Sequence, residues 1–273
     1  MRLTGFEGRT AVVTGAAGGI GQAVVAALLD AGARVLASDR AEAIAAAVTS
    51  ASTAGLPQDE SRVIWRAYDV ASDDPDQLVA EAEARFGPLS LGVHAAGVLA
   101  MAPLLDCTTA EWDRVMAINA GGAFRTASAF GRAMRAQAEG GPNRQGHNGA
   151  IVVVSSNAAG IPRRNMGAYA ASKAAASMMT RCLGLELAEW GIRCNIVAPG
   201  STLTPMQTGM WEGPEGRDKV VAGDLADFRT GIPLGKLARP EDVTAAILFL
   251  LSEQAGHVTM ADLYVDGGAT LRA

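Results

Sequence analysis

Short apolar runs alternate with amphipathic ones along the chain. Thr10-Ala-Val-Val-Thr14 has the length of a strand, and it breaks into Gly15-Ala-Ala-Gly-Gly19-Ile-Gly21 before an apolar helical pattern over Gln22–Ala31. Ala33–Ser38 reads as a second strand that Asp39 ends, and a helix is expected over Ala41–Ala54. Arg62–Ala67 is a third strand, followed by Asp69-Val70 and an amphipathic helix, Asp74–Phe86, with acidic residues on its outer face. Leu89–His94 is a fourth, running into Ala95-Ala96-Gly97. Thr108 or Thr109 caps a long helix, Ala110–Ala138, interrupted by Asn119-Ala-Gly-Gly122. Each Gly inside a helix costs about 1 kcal/mol. That interruption is therefore a purposeful kink or a junction of two helices. The polar stretch Glu139–Gly149 reads as an exposed loop. Ala150–Ser155 is wholly apolar up to its last residue, as a central parallel strand should be. A helix over Met166–Leu187, a strand at Ile192–Val197, a helix from Pro240 to Leu251 and a closing strand at Asp262–Val265 complete the pattern. Alternation of this kind predicts an α/β fold, one doubly wound, mostly parallel sheet with helices on both faces.

The 273 residues suffice for one such domain, and 49% hydrophobic residues supply its core. Residues 201–233 are irregular and too long for an ordinary connection, so they are expected to form a substrate lid. A formal charge of −5 without a basic run disfavours nucleic acid and anionic membrane as partners. No apolar run reaches the roughly 18 residues that span a bilayer, and no leader pattern stands at the start, so the expected location is cytoplasmic. The three Cys and three His are scattered, which offers no metal spacing.

Chemistry gathers at two places. In the first, strand, glycine turn and helix follow one another, the context in which a dinucleotide phosphate rests on a helix N-terminus. Gly15 permits the tight turn, Gly19 the approach of a pyrophosphate, and Gly21 close helix–strand packing. Asp39, at the end of the next strand, can accept from ribose hydroxyls and repels a 2′-phosphate, which favours NAD. Arg40 is the counter-argument, since a basic neighbour suits that phosphate. The second place is Ser155-Ser156-Asn157 through Tyr169-Ala-Ala-Ser-Lys173. Tyr169 and Lys173 are four apart and share a helix face. An ammonium beside a phenol is expected to draw its pKa down from about 10, making it a proton acceptor for an alcohol. His94 reads as a packed strand-end residue.

Taken together, Thr14-Gly-x-x-x-Gly-Ile20-Gly21, Asp69-Val70, Ala95-Ala96-Gly97, Asn119, Ser156, Tyr169-x-x-x-Lys173, Pro199-Gly200 and Asp266-Gly-Gly268 resemble the short-chain dehydrogenase/reductase family over nearly the whole chain. The resemblance implies a Rossmann-like sheet of seven strands and nicotinamide chemistry. It implies Tyr169 as general base, Lys173 as its activator and ribose holder, and Ser156 as substrate orienter, with Asn119 carrying a water behind Lys173. Cofactor contacts are expected from the glycine turn with Ile20, from Asp39, Arg40, Asp69, Val70, Ala95, Ala96, Gly97 and Asn119. Tyr169, Lys173, Pro199, Gly200, Thr202 and Thr204 complete that set. A homodimer or homotetramer built on the two long helices is also implied.

Within the family, Ser156-Asn-Ala-Ala-Gly-Ile-Pro-Arg163, Pro199-Gly-Ser-Thr202, Gly231-Ile-Pro-Leu-Gly-Lys-Leu-Ala-Arg-Pro240 and Val265-Asp-Gly-Gly-Ala-Thr-Leu271 look like a subgroup, the 2,3-dihydro-2,3-dihydroxybenzoate dehydrogenases of catechol siderophore pathways. That likeness implies oxidation of the C3 alcohol of a cyclohexadiene carboxylate to a ketone that tautomerises to the aromatic ring. Arg163 and Arg164 are the candidate carboxylate anchors, since a guanidinium can hold a carboxylate in bidentate fashion. Met101, Met206, Gln207, Met210 and Trp211 are candidates for enclosing the ring. The sequence departs from the subgroup at Ala100, where an Arg is usual, and at Arg164, where a small residue is. A substrate with an amine at C2, 2,3-dihydro-3-hydroxyanthranilate, therefore remains an alternative. A non-catalytic NAD-binding regulator is a further alternative, but such relatives generally lose the Tyr or the Lys, and both are present here.

Overall fold

The computed structural model describes residues 2–46, 60–139, 149–211 and 213–271. Among the described residues seven strands form one sheet in the order β3-β2-β1-β4-β5-β6-β7. They are β1 (Thr10–Thr14), β2 (Arg34–Asp39), β3 (Val63–Ala67), β4 (Leu89–His94), β5 (Gly149–Val154), β6 (Ile192–Pro199) and β7 (Asp262–Val265). All six pairings are parallel. The strand order reverses direction between β1 and β4, and in open sheets of this kind the crevice beyond the strand ends at that point takes the ligand.

Period-two alternation divides each central strand between two cores. Ala11 and Val13 of β1, with Ala150, Val152 and Val154 of β5, pack beneath α1 (Gly19–Asp30) and α9 (Pro240–Leu251). Val12, Ile151 and Val153 face the other way. They pack with α3 (Pro75–Phe86), α5 (Gly122–Glu139) and α6 (Gly167–Leu187). Gly92 in β4 makes room for the fully buried Phe130 of α5, because a Cβ there would stand 2.3 Å from the ring. Residues 41–46 are helical (α2). The rest of the helix expected over Ala41–Ala54, and residues 140–148 of the expected loop, lie outside the described residues.

The long helix expected from Ala110 is two helices. α4 (Thr109–Met116) starts on Thr108, whose hydroxyl accepts from the Glu111 amide at 3.2 Å. It passes through a π turn at Ala117–Gly121 into α5. Gly122 is there for packing, since a Cβ on it would lie 2.8 Å from Val70. Residues 201–233 are less irregular than expected and include α7 (Pro205–Thr208) and α8 (Gly216–Ala222). Among the described residues no helix is long and apolar enough to cross a membrane.

Candidate active site

The glycine turn is held by contacts that admit no side chain. Gly15 has φ +71°, and a Cβ on it would fall 2.4 Å from the Ala96 amide. A Cβ on Gly21 would fall 2.0 Å from the Gly15 carbonyl. β1, β4 and α1 therefore meet backbone to backbone. One Asp39 carboxylate oxygen accepts from the Ala17 amide at 3.0 Å and the other from the Arg40 amide at 2.8 Å. This fixes the carboxylate beside the turn. Arg40 is exposed. Asp69 caps its own turn by accepting from the Ala71 amide at 2.8 Å, while Val70 is buried against Gly122. The bare turn and the carboxylate beyond it suit a dinucleotide.

At the ends of β4 and β5 the polar side chains converge. Lys173 is almost wholly buried, and its Nζ donates to the Val154 carbonyl at 3.0 Å. Burial lowers its pKa to about 8. A Cβ on Gly97 would lie 3.1 Å from that Nζ and 3.2 Å from Asn119 Oδ1, so the glycine leaves the ammonium uncovered on that side. Asn119, in the π turn, is fully buried. Its Nδ2 donates to the Val98 carbonyl and to Ser172 Oγ, both at 2.9 Å, and its Oδ1 accepts from the Val98 amide at 2.8 Å. It thereby ties the loop after β4 to α6. Ser155 ties β5 to the same helix, through Ser177 Oγ at 2.7 Å and the Lys173 carbonyl at 3.2 Å.

Tyr169 departs from the expected electrostatics. Burial raises its phenol above the ordinary value, and a hydrogen bond with Ser156 and the charge of Arg163 only partly oppose this. Lys173 Nζ lies 6.0 Å from the ring centroid while donating to Val154, and Arg163 adds a further positive charge near the phenol. His94, fully buried beside the pair, shares a 3.0 Å hydrogen bond with Thr14 Oγ1. Burial, helped by the Lys173 charge, pushes its pKa from 6.5 down to about 3. The unfolded chain binds this proton below its ordinary pKa and the folded chain does not, so stability falls as pH drops through that window. The slope is up to about 1.4 kcal/mol per pH unit. His94→Asn should flatten the melting temperature against pH between neutrality and pH ~4. An unchanged slope would assign acid loss to other groups.

A cavity of about 820 Å³ opens over these residues. Ser156, Tyr169 and Lys173 line it, with Ile20, Ala95 and Gly97 on one side and Pro199, Gly200, Thr202 and Thr204 on another. Met101, Arg163, Met206, Gln207, Met210 and Trp211 line it as well. The Thr204 methyl rests over the glycine turn, since a Cβ on Gly19 would approach it to 2.9 Å. Trp211 leans on the start of α8, where a Cβ on Gly216 would meet its ring at 2.3 Å.

Arg164, unlike Arg163, is not among the residues that line the cavity. It is 60% exposed, 3.5 Å from Asp227, and its guanidinium lies 5.4 Å from the Phe228 ring centroid. Asn165, with φ +61°, turns the chain just after the two arginines. Ala100 is buried with Val115 and Ala168.

The family described as enoyl-(acyl carrier protein) reductase matches residues 15–270. A 2,3-dihydro-2,3-dihydroxybenzoate dehydrogenase of Bacillus subtilis (strain 168) is 44% identical over 272 residues, covering 99% of each chain. The vibriobactin-specific 2,3-dihydro-2,3-dihydroxybenzoate dehydrogenase of Vibrio cholerae is 42% identical, covering 95% of each. The chain belongs to the short-chain dehydrogenase/reductase family. Among solved structures, that of a levodione reductase superposes with a TM-score of 0.84 at 26% identity, over 98% of this chain and 100% of that one. As a member of the family the protein is an oxidoreductase acting on CH–OH groups with a nicotinamide cofactor.

Two parts of the site have no local sequence signal. Arg229 lines the cavity from residues 223–231, and Leu99 and Met166 line it between Gly97 and Tyr169. Asp266 reaches Asn157 Nδ2 at 3.3 Å, joining the C-terminal Asp-Gly-Gly turn to the loop after β5. For this last contact the Asp-Gly-Gly motif was the available clue.

Proposed function

We propose that this protein oxidises the C3 alcohol of 2,3-dihydro-2,3-dihydroxybenzoate, using NAD, to a ketone that tautomerises to the aromatic acid. The observation that carries the reading is one cavity shared by an alcohol site, Ser156 with Tyr169, and a cation for the carboxylate, Arg163. The Bacillus and Vibrio relatives, named for that substrate, support it over the full chain. The glycine turn, Asp39 and Lys173 would hold a nicotinamide dinucleotide, which would supply hydride acceptance when bound. The protein's own residues handle the proton. Ser156 holds the C3 hydroxyl, and Tyr169 accepts its proton. Lys173 stabilises the phenolate that results, and Asn119 keeps the Lys173 surroundings in register. The segment 201–233 acts as the lid, its Met206, Met210 and Trp211 excluding water from the ring. The reaction takes place in the cytoplasm.

NAD is the expected dinucleotide because the Asp39 carboxylate, held by the Ala17 and Arg40 amides at the end of β2, would repel a 2′-phosphate. Asp39→Ser is expected to lower the ratio of kcat/KM for NAD over NADP by about 10- to 100-fold. An unchanged ratio would remove Asp39 from cofactor choice. The reading itself is tested by following reduced cofactor formation with the diol and with 2,3-dihydro-3-hydroxyanthranilate side by side. Turnover of the diol is expected to be the faster. Oxidation of the amino alcohol alone would move the assignment to that substrate.

Self-association is part of the proposal. α5 exposes Phe124 at 55%, and α6 exposes Met178 at 55% and Leu185 at 69%. Apolar side chains this open on adjacent helices suit a second copy of the chain. Sedimentation at micromolar protein should show a dimer or tetramer, and a monomer would contradict the assignment.

A further inference from the structure

Two guanidinium groups face the cavity, and only Arg163 stands out from the sequence. The second, Arg229, sits on a hairpin over residues 223–231. The hairpin closes by paired backbone hydrogen bonds, Asp224 N–H to the Arg229 carbonyl at 3.0 Å and Arg229 N–H to the Asp224 carbonyl at 2.7 Å. Its base is pinched by Gly223 and Gly231, both with positive φ, and a Cβ on Gly223 would stand 2.4 Å from the Gly231 amide. Arg164 holds the tip through Asp227 and the Phe228 ring. The hairpin is thus fixed at both ends, and it brings Arg229 to the cavity that Arg163 lines.

The nearby carboxylates have partners of their own, and Asp266 alone among them also bears on Arg163, partly opposing the fall in its pKa. Asp227 pairs with Arg164, Asp224 Oδ1 accepts from the Ala226 amide at 2.9 Å, and Asp266 accepts from Gly268, Thr270 and Asn157. Among the described residues neither Arg163 nor Arg229 forms an ion pair, and Arg163 Nε is buried without a hydrogen-bond partner. Arg229 also adds to the burial that lowers the Arg163 pKa, so the two cations feel one another. Like charges held this way repel unless an anion lies between them. Tyr169 is also within electrostatic reach of Arg163, so the two guanidiniums and the phenol border one cavity.

We propose that Arg163 and Arg229 form a two-guanidinium clamp on the substrate carboxylate, and that Arg164 is a positioning residue tethering the hairpin that carries Arg229. This rests on the dihydroaromatic acid reading above and adds the residues that select the acid over a neutral ring. A carboxylate between two guanidiniums satisfies both planar forks and removes their mutual repulsion.

The test compares the parent enzyme, Arg229→Ala, Arg229→Lys and Arg164→Ala, each loaded with NAD. Affinity is measured by calorimetry for 2,3-dihydroxybenzoate and for catechol, which lacks the carboxylate, beside KM and kcat for the dihydro acid. Arg229→Ala is expected to weaken the acid by about 10- to 100-fold and to raise KM by a similar factor, with catechol affinity within about twofold. Arg229→Lys should recover part of that loss, and Arg164→Ala should shift the acid in the same sense by about 3- to 10-fold. Acid binding unaffected by Arg229→Ala, or acid and catechol weakened equally, would overturn the clamp. A parent enzyme that prefers acid to catechol through Arg229 yet turns over no dihydro acid would remove the proposed reaction and leave the clamp standing. A parent that binds both alike would remove the clamp.

Discussion

Tyr169→Phe is expected to lower turnover by a factor of about 100 to 10,000 while the dinucleotide still binds. The substitution removes one oxygen from a buried position and keeps the ring, so the fold should hold. The phenol borders the cavity beside Ser156, which also lines it and opposes the rise of the phenol's pKa. Burial holds its proton on in the resting site, against the lowering expected from the Tyr-x-x-x-Lys spacing alone. The ammonium of Lys173 must therefore act on the phenolate once it forms, more than on the resting phenol. Steady-state rates with cofactor affinity measured separately decide this, and a variant with full turnover would leave Tyr169 without its role.

Gly21→Ala should do its damage in the backbone. The added Cβ would fall 2.0 Å from the Gly15 carbonyl, where no flexible side chain can yield. Either α1 moves off β1 or the turn opens. We expect a stability loss of about 2–4 kcal/mol and dinucleotide affinity reduced at least tenfold. Thermal melts with and without NAD measure both. A variant with the parent's melting temperature and affinity would show that the close approach is not needed. By contrast, Gly87 has open space around its Cβ position, so its role is confined to a positive φ of 91° at the end of α3.

The parts of the site that the sequence revealed are those set by local spacing. The glycine turn lies between a strand and a helix, Asp39 ends the neighbouring strand, and Tyr169 and Lys173 are one helical turn apart. Each needs only the geometry of its own element. The Asn119 region was harder, because Asn and Gly suggest a break in a helix, whereas the chain keeps turning through a π turn fitted to Val70 and Val98. The carboxylate end of the cavity was least legible. Arg163 and Arg164 are neighbours of the same chemistry, and a left-handed Asn165 after them accompanies their divergence. Arg229 reaches the cavity only because the chain doubles back between Gly223 and Gly231. The raised pKa of the phenol also needed coordinates, since its cause is the burial of Tyr169.

The most direct test of the reaction uses 2,3-dihydro-2,3-dihydroxybenzoate carrying deuterium at C3, incubated with the parent enzyme and NAD and analysed by mass spectrometry. The account predicts one deuterium in each reduced nicotinamide and an equal amount of unlabelled aromatic acid. Reduced cofactor without deuterium, or no aromatic product, would contradict it.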